Sequence, residues 1–181
     1  IAIGNNALLL NQTQSGNVAI GDATLYMTNN IGGLVAVGDS ALYKNCAGGA
    51  AFDGEFNTAI GSKSLMNNTF GYGNTANGFS SLGSNKIGNG NVALGAFALK
   101  SNENADVNIG IGINSLYNNK NGRLNISIGG NSLLADTFSQ NQIAIGTSAL
   151  YSNSEGEENL SIGTQSMFSN TKGSYNTAVG H

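Results

Sequence analysis

The chain has 181 residues, no proline, no tryptophan, one cysteine and only 9% charged residues, with a formal net charge of −3 and a pI near 4.9. That acidic balance offers no basic footprint for a nucleic-acid backbone, no apolar run approaches the ~20 residues of a membrane span, and a lone Cys46 allows no intrachain disulfide. The 40% hydrophobic content is rich in Ile, Leu and Val, so a buried core is expected rather than disorder.

Internal period is the first feature to test in such a composition. A motif glycine recurs at Gly4, Gly21, Gly38, Gly61, Gly78, Gly95, Gly112, Gly129, Gly146, Gly163 and Gly180. Nine of the ten intervals are 17 residues, and the tenth, Gly38 to Gly61, is 23. Residues 1–181 therefore read as a single repeat array with a six-residue insertion within 45–56. The array opens in mid-motif at "IAIG" and stops one residue after "NTAVG", which reads as part of a longer chain; the first residues do not resemble a signal peptide.

Taken in chain order, each unit begins with a large–small–large triplet. Three before the glycine stand branched or aliphatic residues such as Val18, Thr58 and Ile109; two before stand Ala19, Ala59 and their equivalents, never larger than Ser; one before stand Ile20, Ile60 and Leu94, with Asn77 the single break. This alternation predicts one short β-strand per unit. The file one before the glycine is expected to be core, the small file to be closely packed, and both faces to be buried or nearly so.

After the glycine (Gly21, Gly61 and Gly95 are representative) comes a small residue at the third place and Leu25, Leu65, Leu99 or its equivalent at the fourth, in nine copies, then Met167. Stretches such as "GDATLYMTN" fit either one helical turn or a second strand, and the propensities of Ala and Leu favour the helical turn. Asparagine makes up 29 residues and forms two columns: seven after the glycine (Asn68, Asn85, Asn102, with Thr28 and Asp136 substituting) and four before it (Asn17, Asn57, Asn91, with Leu34 and Gln142 substituting). Asn suits corners, because it tolerates left-handed backbone and bonds nearby main chain. Stacked in register, its amides can also ladder from one unit to the next.

A 17-residue unit cannot bury its own apolar face, but stacking can. The fold expected is mainly β: a parallel β-solenoid with one coil per unit, in which like residues form vertical files at ~4.8 Å spacing.

The recurring string N-[TV]-A-[IV]-G-x-x-[AS]-L, clearest at Asn57 to Leu65, Asn17 to Leu25 and Asn176 to Gly180, resembles the NTAIG-type repeats of trimeric phage tail fibres and related bacterial surface fibres, and more distantly the NSVAIG repeats of trimeric autotransporter adhesin heads. The resemblance implies a homotrimeric structural fibre or adhesin segment, extracellular, at a cell surface or on a virion, serving attachment or host recognition through a cell-surface glycan or protein receptor. Apolar surface left on a thin coil is a separate physical reason for association with further copies.

Candidate sites are few. The aromatic column five after the glycine, Tyr26, Tyr43, Tyr117, Tyr151 and Phe168, is the best place for a ligand, since sugars and proteins both use aromatic faces with polar tips; rings packed over the neighbouring coil or chain are nonetheless the favoured reading of it. Phe79 and Phe97 read as local packing. The insertion, with Cys46, Asp53 and Glu55, could carry specific contacts or be a surface bulge. Asp106, Asp136, Glu155, Glu157 and Glu158 read as solvated edge residues rather than a glycosidase pair. His181 is the only histidine, so no catalytic triad, metal site or cofactor is expected. Alternatives to the fibre reading are a carbohydrate-binding or carbohydrate-processing module and an ice-binding solenoid. The last is disfavoured, with Thr in the relevant column only at 58, 75 and 177. The Asn125-Ile126-Ser127 sequon falls on structural columns and reads as coincidence.

Overall fold

The computed structural model describes residues 1–11, 15–28, 30–45 and 53–181. Among the described residues eleven short strands follow one another: β1 (Ala2–Ile3), β2 (Val18–Ile20), β3 (Val35–Val37), β4 (Thr58–Ile60), β5 (Thr75–Asn77), β6 (Val92–Leu94), β7 (Ile109–Ile111), β8 (Ile126–Ile128), β9 (Ile143–Ile145), β10 (Leu160–Ile162) and β11 (Thr177–Val179). They form one parallel sheet in strict sequence order. Register is constant from coil to coil, with Val18 opposite Val35, Ala19 opposite Ala36 and Ile20 opposite Val37. The 17-residue files are therefore real, and the protein is a parallel β-solenoid of ten turns, on the order of 50 Å long at ~4.8 Å per coil.

The strand's two faces are not what the alternation alone suggests. The small file points inwards and is fully buried at Ala19, Ala36, Ala59, Ala76, Ala93 and Ala144. The large residues on either side of it point out: Ile20 is 37% exposed and Ile60 39%. The expected core file one before the glycine is thus the outer surface of the sheet. The reason lies on the opposite wall. Leu25, Leu42, Leu65, Leu82, Leu99, Leu116, Leu133 and Leu150 project into the coil and are fully buried, each worth about 1.5–3 kcal/mol of burial. A coil this thin has room for that leucine file only if the strand facing it contributes alanine. Where the strand has Ser instead, the hydroxyl is paired: Ser127 Oγ donates to Ser132 O at 3.0 Å and Ser161 Oγ to Ser166 O at 2.8 Å.

The helical turn expected around the Ala-Leu pair does not form; no helix occurs among the described residues. Two successive tight turns replace it, closed by Ala41 N to Gly38 O at 3.2 Å and Asn45 N to Leu42 O at 3.3 Å. The leucine amide points along the solenoid axis to the next coil, as in Leu25 N to Ala41 O at 3.1 Å. The leucines hold left-handed backbone, φ 52° at Leu25 and 51° at Leu99, as do residues two after the glycine, such as Ser40 at 55°. Helix propensity is a small bias, and the inter-coil hydrogen bonds together with a buried leucine in every coil outweigh it.

The other half of the coil interior is polar. Asn57, Asn74, Asn91, Asn108 and Asn125 are fully buried, and each Oδ1 accepts the main-chain N–H of the next member: Asn74 N to Asn57 at 2.9 Å, Asn91 N to Asn74 at 2.9 Å and Asn108 N to Asn91 at 2.9 Å. Asn91 Nδ2 donates to Asn74 Oδ1 at 3.1 Å and to Ala105 O at 2.8 Å. Asn91→Ala strips partners from buried groups on both neighbouring coils, so a loss of about 2 kcal/mol is expected in urea denaturation.

The insertion leaves this frame intact. Asn45 Nδ2 reaches Gly54 O at 2.8 Å across nine residues, the same bond that Asn68 Nδ2 makes to Gly71 O across three. The six extra residues thus fall between Asn45 and Gly54; Cys46 lies outside the described residues. Asp53 and Glu55 are partly exposed beside that corner.

Candidate interaction face

Because alanine faces inwards, the outward residues of β2 to β11 make two parallel aliphatic files about 7 Å apart. One contains Val18, Val35, Val92, Ile109, Ile126, Ile143 and Leu160, with Thr58, Thr75 and Thr177; the other contains Ile20, Val37, Ile60, Leu94, Ile111, Ile128, Ile145, Ile162 and Val179, with Asn77. Neither contains a charged residue. Phe79 at 45% and Ile113 at 60% exposure extend the apolar surface past the motif glycine. Elsewhere that edge column holds Asn5, Asp22, Asp39, Ser62, Thr147 and Thr164, so the continuous apolar strip is the pair of files, on the order of 330 Å² at strand dimensions. That lies within the range for the largest apolar patch on a monomer, a patch that is often functional.

The motif glycines turn the chain at the end of each strand, with φ 133° at Gly21, 123° at Gly61 and 130° at Gly95. The designated corner and core residues sit as the repeat requires: Leu25, Leu65 and Leu99 are fully buried, and Asn17, Asn57 and Asn91 are at most 6% exposed. Sequence reasoning named these columns but missed the outer face, since alternation shows that two faces differ without showing which is inside.

The aromatic column does not form a continuous strip. Tyr26 and Tyr43 stack with centroids 5.1 Å apart at 7°, and Tyr151 stacks on Phe168 at 4.9 Å and 10°. In both pairs the ring faces cover each other. Tyr117 stands apart, because Lys100 and Leu134 occupy its column on the adjacent coils; its aromatic neighbour is Phe97, 6.4 Å away and tilted by 59°. Phe97 in turn meets Phe79 edge-on at 5.3 Å. Phe97, Asn114, Tyr117, Asn118 and Leu134 line an open cleft of about 360 Å³.

The carboxylates are dispersed. Asp106 pairs with Arg123 at 3.6 Å and Glu155 with Lys172 at 3.0 Å. Glu103 meets Lys86 at 2.6 Å, and the hydrogen bond from that ammonium group holds its carboxyl below the ordinary carboxylate range. Such exposed pairs contribute little. Asp136 departs from expectation: it is fully buried rather than a solvated edge residue. Asn125 of the sequon is also fully buried.

Fold and surface together define a repetitive scaffold, a parallel β-solenoid with an amide-laddered interior and two uncharged aliphatic files on its outer face. Comparison with family models, curated proteins and solved structures gives no match.

Proposed function

We propose that this solenoid is a non-catalytic structural fibre or adhesin segment, a stiff repetitive stalk or head that associates as a homotrimer through the aliphatic face of its sheet. The observation that carries this reading is that face itself: two uncharged files running the length of the sheet, an arrangement a free monomer would leave in water. Identical chains provide identical faces in identical register, so packing three copies about a common axis would cover all of them at once. The repeat resemblance agrees with this assembly, and with an extracellular, cell-surface or virion setting and a glycan or protein receptor.

Sedimentation at micromolar concentration is expected to give a trimer. Placing lysines mid-face, Ile111→Lys with Ile128→Lys, is expected to lower the association constant by at least 100-fold while the β circular dichroism is kept, since each buried unpaired charge costs several kcal/mol. A monomeric parent chain, or a trimer unmoved by the two lysines, overturns the proposal.

The Phe97–Tyr117 cleft favours a second reading, a carbohydrate-binding module. Two aromatic rings and the side-chain amides of Asn114 and Asn118 match the apolar faces and hydroxyls of a neutral sugar. Saturation-transfer NMR with neutral methyl glycosides tests it, and absence of transfer at millimolar concentration removes it.

A further inference from the structure

In the column seven residues after the motif glycine, asparagine repeats three bonds. Its main-chain N–H closes the turn, as in Asn119 to Leu116 O at 3.3 Å and Asn153 to Leu150 O at 3.2 Å. Its Nδ2 donates to the Oδ1 of the preceding coil, as from Asn102 to Asn85 at 2.7 Å, Asn119 to Asn102 at 3.3 Å and Asn170 to Asn153 at 3.1 Å. The same Nδ2 donates to the carbonyl three residues on, as from Asn119 to Gly122 O at 2.9 Å and Asn153 to Gly156 O at 2.9 Å.

Asp136 stands between Asn119 and Asn153 in this file and makes none of the three. As a carboxylate it has no side-chain hydrogen to donate. Oδ1 accepts from Ser139 N at 2.9 Å, whereas Oδ2 is buried with no hydrogen-bond partner. Asn153 Nδ2 donates to Ser139 Oγ at 3.2 Å. The groups around the carboxyl are uncharged: Asn119 on one adjacent coil, Asn153 on the other, and Ser139 with the amides of Thr137 and Phe138 on its own. The charged side chains nearest in these columns are directed elsewhere, Arg123 to Asp106, Glu155 to Lys172 and Lys120 towards Glu103.

We propose that Asp136 is a proton-operated rung of the amide ladder: with the carboxyl protonated, its O–H donates to Asn119 Oδ1 as an amide does elsewhere in the file, and on ionisation the rung opens and the two coils uncouple at this corner. Burial is the dominant cause of the carboxyl's shift, raising it from the ordinary 3.8 to about 6 against smaller opposing bonds from Ser139, Phe138 and Thr137. A carboxyl raised by folding contributes stability that is full below the unfolded value and lost as the pH climbs through the folded one. The window is therefore roughly pH 4 to 6, and mild acid tightens the fibre.

The test uses the whole chain, parent and Asp136→Asn, melted between pH 4.5 and 7.5. The parent midpoint is expected to fall by about 4–8 °C over that range. In Asp136→Asn, whose amide restores both donors, most of that fall is expected to vanish, with a higher midpoint than the parent at pH 7.5. Carboxyl-carbon NMR of the parent should give an Asp136 midpoint near 6. A midpoint near 4, or an Asp136→Asn chain that keeps the whole fall, overturns the proposal; should that variant not fold, the NMR titration of the parent decides.

Discussion

Gly112→Ala is expected to destabilise the protein by about 4 kcal/mol, read as a shift in the urea midpoint, whereas Gly73→Asn leaves it within about 0.5 kcal/mol. Both glycines have positive φ, so composition alone would rank them together. Gly112 has φ 127°, a value outside the left-handed well that L residues can enter. A Cβ added there would lie 2.7 Å from both the carbonyl carbon and the oxygen of Gly129 on the next coil. Backbone strain and a clash with main chain add, and the neighbouring coil cannot step aside without breaking the sheet ladder. Gly73 has φ 65°, and a Cβ there would meet nothing within 4 Å. Its file elsewhere already holds Val107 at 56°, Asn141 at 57° and Tyr175 at 60°. A loss of less than 1 kcal/mol for Gly112→Ala would show that the coils do not approach as closely as the structure places them.

Leu116→Ala is expected to cost about 3 kcal/mol by removing a fully buried side chain of the central file. Leu116→Gly should cost no more than the alanine variant, and up to about 1 kcal/mol less. Glycine loses one further methyl group, about 0.8 kcal/mol, but it relieves a left-handed backbone, φ 53° at Leu116, which costs an L residue roughly 1–2 kcal/mol. In a helical turn the two terms would share a sign, since glycine is about 1 kcal/mol worse than alanine there, and the gap would approach 2 kcal/mol. The pair of variants measured together thus distinguishes tandem tight turns from helix at the Ala-Leu segment. A gap near 2 kcal/mol would restore the helical expectation.

The sequence by itself determined the period, the number of coils, the place of the insertion and the corner columns. Each of these follows from residues repeating at a fixed interval, and the stacking of like on like needs only that a 17-residue unit cannot bury its own apolar surface. The amide ladder was readable for the same reason, because Asn57, Asn74 and Asn91 recur in one file with nothing but each other and main chain to bond. What only the tertiary structure decided is direction. Alternation in Val18-Ala19-Ile20 separates two faces but is symmetric between in and out, and the choice was made by the leucine file across the coil, which leaves room only for alanine, serine or glycine. The left-handed backbone at Leu25 and Leu99 was hidden because left-handed turns usually announce themselves by glycine or asparagine, and here inter-coil hydrogen bonds impose the conformation on leucine. Asp136 could be seen in sequence as a substitution in an asparagine file; its burial, and the oxygen left without a partner, depend on the coils above and below it.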